Sequence, residues 1–358
     1  MSQIALSALL LYCRSGFEKE CAQDITLAAE NHGVAGWCKA VPDSGWVLFQ
    51  PAEAGNIALL RKKLMFAELC FARQAVFVAA PLKLSAENRL PPLMEAARAL
   101  PGPYSSLWLE TADTNEAKEL SGFCRKFEPH LSKALVREGL LKPDNPRLPR
   151  LHVFFTDSIT AHVGISQPGN SSGWAMGIPR LKMPREAPSR STLKLAEALL
   201  EMLSEQEREQ LRPGRRAVDL GASPGGWTWQ LANRGMKVTA VDNGPMDKAL
   251  MEGGLVEHLK ADGFTFRPRH PVDWLVCDMV DKPARVVDLV ARWFERGDCR
   301  AAIFNLKLPM KRRFEEIQLS RHILQERLSR LEGSWRILAR QLYHDREEVT
   351  LAILPIAH

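Results

Sequence analysis

The chain has 358 residues, of which 46% are hydrophobic and 25% are charged, and its formal net charge is +6. This composition predicts a globular protein of two or three domains, and no apolar run approaches the ~20 residues of a membrane span. Seven cysteines without a CxxC pair argue against a disulfide framework and a zinc site, so we expect a reducing, cytoplasmic location and no metal. No exposed apolar stripe requires a partner chain, and we expect a monomer.

The first eighty residues predict a ferredoxin-like domain. Its elements are a strand at 4–13, a helix around Phe17, Cys21 and Ile25, strands near Trp37 and at 46–49, a helix at 57–67 and a strand at 75–78. This β-α-β-β-α-β order is the ferredoxin-like arrangement, which does not by itself determine a function.

A second α/β unit is predicted for residues 81–169. Its elements are helices at 90–100, 116–127 and 130–139 and strands at 107–110, 151–155 and 159–164. A stretch rich in Gly, Ser and Pro follows at residues 170–187 and predicts a linker. Residues 188–358 alternate apolar runs with helical patterns, which predicts a doubly wound sheet, and the last two strands are close enough to form an antiparallel hairpin.

Basic residues are clustered in three places, and RNA phosphates are the favoured partner for them. Solvated helix faces remain the alternative interpretation. The clusters are Lys118, Arg125, Lys126 and Lys133; Arg180, Lys182, Arg185, Arg190 and Lys194; and Lys311, Arg312 and Arg313.

A glycine-rich turn at residues 221–226 separates a short apolar strand from a helix. A dinucleotide fingerprint requires glycine at its third position, where this chain has Ser223, and the Gly-Lys-Ser/Thr ending of a P-loop is missing. The turn also matches the G-x-S-x-G motif of the hydrolase nucleophile elbow. In that motif the residue after the serine donates its N–H to the oxyanion, and Pro224 has no N–H, so the hydrolase interpretation fails. The turn therefore favours a cofactor without a pyrophosphate, and S-adenosylmethionine fits.

Two aspartates after the next two apolar runs support this interpretation. Asp242 follows the run at 238–241, where an acid can bind ribose hydroxyls, and Asp262 can accept a hydrogen bond from an adenine amino group. Each aspartate taken alone is equally well explained as a loop or helix cap.

Four charged residues are predicted to meet at the same edge of the sheet: Lys194, Asp278, Lys307 and Glu348. Asp278 and Lys307 end apolar strands, and a lysine buried there without a carboxylate is costly. Methylation of a ribose 2′-hydroxyl requires a base, and a lysine serves near neutrality only if burial or a nearby cation lowers its ordinary pKa of about 10.4. The alternative is a structural ion-pair network.

These motifs resemble the RrmJ/FtsJ-type RNA 2′-O-methyltransferases and, more closely, the ribosomal RNA large subunit methyltransferase M family. The resemblance is carried by LYCRSGFEKE, ADTNEAKEL, GIPRLK, APSRSTLK, VDLGASPGGWT, VDNGPM, FNLKLPMK and QLYHDREEVT. It implies a THUMP RNA-binding domain at 81–169, a Rossmann-like methyltransferase domain, Lys307 as proton acceptor and a cytidine in the peptidyl-transferase region of 23S rRNA as target. It also implies S-adenosylmethionine contacts from Ser189, Gly221, Ser223, Pro224, Gly225, Gly226, Asp242, Asp262 and Asp278.

The sequence departs from the family at one position and is ambiguous at another. Ser223 stands where relatives are expected to have cysteine, and Glu347 beside Glu348 leaves the fourth charged position open by one residue, with Glu348 favoured. Cytosine C5 methylation would need a nucleophilic cysteine, and Cys277 is expected to be buried instead. A non-enzymatic RNA-binding protein and a Rossmann oxidoreductase are the rival classes. Naked or early-assembly 23S rRNA is the expected substrate.

Overall fold

The computed structural model describes residues 4–356. The chain divides into two compact units, Met1–Pro179 and Arg180–His358, and each has its own sheet and apolar core. Within residues 4–356, no helix is both long and apolar enough to cross a membrane.

The first unit is built on one eight-stranded sheet. Its elements are β1 (Leu6–Cys13), α1 (Glu18–Asn31), β2 (Gly36–Ala40), β3 (Trp46–Pro51), α2 (Asn56–Lys63), a 3₁₀ turn (Phe66–Glu68), β4 (Ala72–Ala79), β5 (Leu82–Lys83), α3 (Leu90–Ala99), β6 (Ser106–Thr111), α4 (Lys118–Arg137), β7 (Arg150–Asp157), β8 (Thr160–Ser166) and a 3₁₀ turn (Ala175–Gly177). The strand order is β2-β3-β1-β4-β8-β7-β6, with β5 beside β8. The predicted order of elements in the first eighty residues is confirmed.

The pairing of β4 with β8 joins the two predicted N-terminal domains into one sheet. Phe77 is opposite Ile165 and Val78 is opposite Gly164 in an antiparallel pair. A Cβ atom on Gly164 would lie 2.2 Å from the carbonyl oxygen of Phe77, so only glycine allows the strands to approach this closely. The predicted boundary near residue 80 therefore falls inside a continuous sheet.

Helix α4 differs from the prediction of two helices separated near residue 129. It is a single helix that contains Pro129. Proline removes one backbone hydrogen bond, but Leu131, Ala134 and Leu135 are buried against the core on the far side of it. Packing of this apolar face compensates for the lost bond and keeps the helix continuous.

The second unit is a seven-stranded sheet of the order β11-β10-β9-β12-β13-β15-β14. Its elements are α5 (Thr192–Met202), α6 (Glu205–Arg208), β9 (Arg216–Leu220), α7 (Gly226–Ala232), β10 (Lys237–Val241), α8 (Lys248–Glu252), β11 (Val256–Leu259), β12 (Val272–Cys277), α9 (Pro283–Glu295), β13 (Cys299–Lys307), α10 (Arg313–Leu328), β14 (Trp335–Arg340) and β15 (Glu348–Pro355). Strands β9 to β13 are parallel, and β15 is antiparallel to both β13 and β14. The predicted Rossmann-like sheet and its closing hairpin are confirmed.

Strand register explains why polar residues collect at one edge of this sheet. Leu220, Cys277 and Phe304 lie side by side on three neighbouring parallel strands, so the residues that follow them leave the same edge. Strand β15 runs the opposite way and begins there, with Glu348 opposite Lys307. The edge therefore combines three strand ends with one strand start.

Candidate active site

The turn after β9 is built around glycine at position 221. The N–H groups of Gly221 and Ala222 donate to the Val241 carbonyl at 3.0 and 3.4 Å, and Gly221 has a φ of +77°. A Cβ atom there would lie 2.6 Å from the Cγ atom of Met279. Any larger residue would be strained and would also displace the loop after β12.

The later residues of the turn shape the start of helix α7. Gly225 has a φ of +120°, and Pro224 accepts a hydrogen bond from the Asp247 N–H at 3.0 Å. A Cβ atom on Gly226 would lie 2.4 Å from the Oγ atom of Ser189, so glycine allows α7 to begin against the loop that precedes α5. Pro224, Gly225, Gly226 and Ser189 are thus brought together with the turn, although they do not line the cavity beside it.

A cavity of about 380 Å³ lies beside this turn. It is lined by Gly221, Ser223, Val241, Asp242, Asn243, Ala261, Asp262, Gly263, Phe264, Asp278, Met279 and Val280. This volume falls within the usual range for small-molecule sites. Three carboxylates and no lysine or arginine line it among the described residues, which suits a ribose and a cation better than a pyrophosphate. The lining residues therefore fit S-adenosylmethionine.

Asp242 is held in place by the backbone of the turn. Its two carboxylate oxygens accept hydrogen bonds from the Ser223 N–H at 3.1 Å and the Gly244 N–H at 2.7 Å. Asp262 accepts from the Phe264 N–H at 2.9 Å and is otherwise exposed. Both carboxylates retain free lone pairs toward the cavity, which can accept hydroxyl or amino protons.

The four predicted charged residues meet in one cluster at the sheet edge. Lys194 in the first turn of α5 places its Nζ atom 3.3 Å from both oxygens of Asp278 and 2.8 Å from Oε2 of Glu348. The Nζ atom of Lys307 at the end of β13 contacts the other oxygen of Glu348. Because Asp278 also lines the cavity, the cluster adjoins the candidate cofactor site.

The structure brings Glu348 into the cluster and leaves Glu347 outside it. The side chain of Glu347 is 62% exposed and pairs with Arg313, whereas that of Glu348 is 9% exposed and contacts both lysines. Glu348 is the first residue of β15 and lies opposite Lys307, whereas Glu347 precedes the strand.

The two lysines are in different electrostatic environments. Burial favours neutral Lys194, but the charge of Asp278 and the hydrogen bond to Glu348 outweigh burial and raise the pKa of Lys194. Burial likewise opposes ionisation of Glu348, but its hydrogen bonds from the two lysines lower the pKa of Glu348. Burial raises the pKa of Asp278, and the charge of Lys194 opposes that rise. Lys194 is thus held as a cation by two acids, while Lys307 contacts one acid.

Asn305 is a member of this cluster that sequence reasoning missed. It is fully buried on β13, and its Nδ2 atom donates to Oδ1 of Asp278 and to Oε2 of Glu348, each at 3.0 Å. The sequence does contain one indication of its role. Asn305 is an isolated amide inside an apolar strand, and it lies two residues before Lys307, so both side chains are on the same face of that strand.

Two further predictions concern cysteine chemistry and metal binding. Burial raises the pKa of Cys277 to about 12, so it remains a thiol and lacks the thiolate that C5 methylation needs. Within residues 4–356, no group of His, Cys, Asp or Glu side chains is arranged to hold a metal ion.

Most of the predicted basic residues are exposed. They are Lys118, Arg125, Lys126, Lys133, Arg180, Lys182, Arg185, Arg190, Lys311 and Arg312. Lys194 and Arg313 are the exceptions, because both are partly buried. Lys194 pairs with Asp278 and Glu348, and Arg313 pairs with Glu347.

Family comparisons cover most of the chain. The RlmM ferredoxin-like domain matches residues 6–76, the N-terminal domain of ribosomal RNA large subunit methyltransferase M matches residues 88–167, and the FtsJ-like methyltransferase matches residues 187–303. These three matches follow one another along both units.

Two relatives that align with nearly the whole chain are both ribosomal RNA large subunit methyltransferase M. The chain is 53% identical to ribosomal RNA large subunit methyltransferase M of Methylococcus capsulatus, over 96% of this chain and 97% of the relative. It is 51% identical to the protein of that description from Azotobacter vinelandii, over 96% and 97%. Among solved structures, TrmN from Thermus thermophilus covers 98% of this chain at 18% identity, with a TM-score of 0.37 that is too low to add to the comparison.

Proposed function

The chain belongs to the ribosomal RNA large subunit methyltransferase M family, and we propose that it methylates the ribose 2′-hydroxyl of a cytidine in 23S rRNA. The observation that carries the proposal is the cluster of Lys194, Asp278, Lys307 and Glu348 next to the cavity beside the glycine turn. A cluster of this kind supplies a base for an alcohol. The peptidyl-transferase region as the location of the cytidine rests on the family resemblance.

The enzyme is an S-adenosylmethionine-dependent methyltransferase. When bound, S-adenosylmethionine supplies an electrophilic methyl group on a positively charged sulfur. We assign the ribose of the cofactor to Asp242 and its adenine to the region of Asp262, while the turn at Gly221 allows close backbone approach. Asp278 faces both the cavity and Lys194, so it links cofactor binding to the charged cluster.

Lys307 is the proposed base. Lys194 is retained as a cation by Asp278 and Glu348, so it cannot accept a proton, whereas Lys307 has one carboxylate contact and a side chain that is 29% exposed. During methyl transfer, Nζ of Lys307 would accept the proton of the 2′-hydroxyl. The partial exposure of Lys307 then lets that proton exchange with solvent.

RNA phosphates are the proposed partners of the exposed basic residues in each unit. Lysine and arginine neutralise phosphates and make binding dependent on salt, without selecting a sequence. A ribose inside a helix is costly to extract, so naked or early-assembly 23S rRNA is the favoured substrate. We further propose that residues 81–169 act as a THUMP domain and that the enzyme works as a cytoplasmic monomer.

The position of the methyl group tests this proposal directly. Unmodified 23S rRNA is incubated with the enzyme and labelled S-adenosylmethionine, then digested, and the labelled nucleotide is identified. A ribose methyl makes its 3′ linkage resistant to alkali, whereas a base methyl does not. An alkali-resistant methylated cytidine is the expected product, and label on a base would refute ribose chemistry.

A further inference from the structure

A buried polar chain leads from Asp345 to the two acids of the charged cluster. Asp345, Thr350 and Asn305 are all fully buried. The Oγ1 atom of Thr350 lies 2.9 Å from Oδ2 of Asp345 and 2.7 Å from Oδ1 of Asn305. The Nδ2 atom of Asn305 then lies 3.0 Å from both Asp278 and Glu348.

The orientation of the Asn305 amide follows from its neighbours. Its Nδ2 atom faces two carboxylates, and the reversed orientation would place Oδ1 against both of them. An amide oxygen and a carboxylate are both acceptors, so that reversed arrangement is repulsive. Oδ1 of Asn305 must therefore face Thr350 and accept its hydrogen bond.

The number of protons available for these hydrogen bonds then determines whether the Asp345 carboxyl is protonated. A threonine hydroxyl has one proton, and Thr350 donates it to Asn305. The contact of 2.9 Å between Thr350 and Asp345 is a hydrogen bond only if Asp345 supplies the proton. A buried oxygen pair without a proton between them would be repulsive instead.

We infer that Asp345 is a neutral carboxylic acid that, through Thr350, orients Asn305 to hold Asp278 and Glu348 in place. The three residues are positioning residues, and their effect on catalysis rests on the proposed function. Independently of the proton count, burial raises the pKa of Asp345 well above its usual range, and the charges of Glu348 and Glu197 add to that rise.

Asn305 donates hydrogen bonds to two carboxylates of like charge, Asp278 and Glu348, and so holds both in place. Asp278 and Glu348 both accept from one amide nitrogen, which leaves Oε1 of Glu348 for Lys307 and shares Oε2 with Lys194. If the amide rotated, the two acids would lose their common donor and Glu348 could turn away from Lys307. A small displacement of a reacting group is enough to slow a reaction roughly a hundredfold.

The protonation of Asp345 can be measured without any activity. An infrared difference spectrum at pH 7 between the wild type and Asp345→Asn is expected to contain the carbonyl band of a protonated carboxyl. That band is expected to shift in Thr350→Val, since its hydrogen-bond acceptor is removed. A spectrum with only carboxylate bands would overturn the inference.

The positioning role is tested by single-turnover methyl transfer with saturating 23S rRNA and S-adenosylmethionine. Thr350→Val is expected to slow transfer roughly tenfold to a hundredfold, with cofactor affinity within about twofold of wild type. Thr350→Ser restores the hydroxyl and should recover most of the rate. Thr239→Val, on β10 of the same sheet, is the matched control for loss of a threonine hydroxyl.

Two substitutions of Asp345 test whether its side chain is a neutral acid that donates to Thr350 or a carboxylate that accepts from it. Thr350 and the Leu342 N–H both contact Oδ2 of Asp345, at 2.9 and 3.2 Å. The Nδ2 atom of Asp345→Asn can donate to Thr350 from that position but cannot accept from Leu342, so part of the rate should remain, whereas Asp345→Leu should lose it. A rate for Thr350→Val equal to wild type, or a loss in Asp345→Asn as large as in Asp345→Leu, would contradict the inference. If the wild type itself places no methyl on ribose, the proposed function fails, and the infrared spectrum still decides the protonation of Asp345.

Discussion

Lys194 and Glu348 are 154 residues apart in the sequence, yet the Nζ atom of one lies 2.8 Å from Oε2 of the other. Glu348 also contacts Lys307 through its second oxygen, so one buried carboxylate lies between the Nζ atoms of two lysines. The first helix of the second unit is thereby tied to its last strand at the sheet edge. The contact gives the two lysines different roles, because Lys194 has a second acid, Asp278, and Lys307 has none among residues 4–356.

Neutralising Glu348 should disable the cluster. In Glu348→Gln, the amide has no charge to balance Lys194, and it presents an N–H group toward one of the two lysines. We expect methyl transfer to fall roughly a hundredfold while the affinity for S-adenosylmethionine stays within about twofold. Rapid-quench measurement of the first turnover, together with calorimetric cofactor binding, checks both values.

Glu347→Gln is the matched control for that substitution. Glu347 is exposed and pairs only with Arg313 among the described residues, and exposed pairs contribute about 1 kcal/mol or less. The transfer rate should therefore stay close to that of wild type. A loss as large in Glu347→Gln as in Glu348→Gln would show that the wrong glutamate has been assigned to the cluster.

Gly221→Ala should damage the cofactor site. The new Cβ would have to occupy a left-handed conformation, which costs about 1–2 kcal/mol, and would lie 2.6 Å from Met279. We expect at least about a tenfold loss of S-adenosylmethionine affinity, equivalent to about 1.4 kcal/mol. Equilibrium titration of the purified variant measures this loss.

The control for alanine at a glycine is Gly122→Ala. Gly122 lies inside α4 with no atom within 4 Å of an added Cβ, so the substitution should stabilise the protein by about 0.5–1 kcal/mol. Cofactor affinity should not change. Undiminished binding in Gly221→Ala would mean that the turn does not contribute to the cofactor site.

Asp219 should make the stability of the protein depend on pH. Burial raises its pKa to about 7, despite the 2.6 Å hydrogen bond from Thr228, and the charges of Asp278 and Asp242 add to the rise. The native state then binds a proton that the unfolded chain, with an aspartate pKa of about 3.9, releases. The stabilisation is complete below about pH 4 and is lost as pH rises through about 7.

Asp219→Asn isolates this effect because its amide oxygen can still accept from Thr228. Relative to this variant, the wild type should lose on the order of a few kcal/mol of unfolding free energy between about pH 4 and pH 8. Urea unfolding of both proteins across that range measures the difference. If the unfolding free energies of the two proteins changed with pH in the same way, Asp219 would ionise in the native state at no cost in stability.

Much of the site was predictable because parallel strands align their ends. Asp278 and Lys307 were placed correctly from strand-end positions, and Lys194 from its place before the first strand. Asn305 was missed because an isolated amide in an apolar strand gives no sign of its partners, which come from β15 and from the end of β12. The choice of Glu348 over Glu347 follows from the antiparallel register with Lys307.

Long-range pairing in the first unit was beyond the sequence patterns. Alternation of apolar residues fixes which face of a strand is buried, but it does not identify the neighbouring strand. The pairing of Val78 with Gly164 therefore appeared only in the structure. The prediction of two helices separated near Pro129 was wrong for a different reason. Proline disfavours a continuous helix, but burial of residues on both sides of Pro129 keeps α4 intact.

The central claim is that Lys307 removes the proton of a ribose hydroxyl, and Lys307→Ala tests it most directly. Transfer of labelled methyl to unmodified 23S rRNA should fall roughly 10²- to 10⁴-fold, with S-adenosylmethionine affinity retained. Lys237→Ala, an exposed lysine at the amino end of β10, should transfer at the wild-type rate. Alkali-resistant label in the wild type that disappears in Lys307→Ala alone is the predicted result. Wild-type transfer by Lys307→Ala with intact cofactor binding would contradict the account.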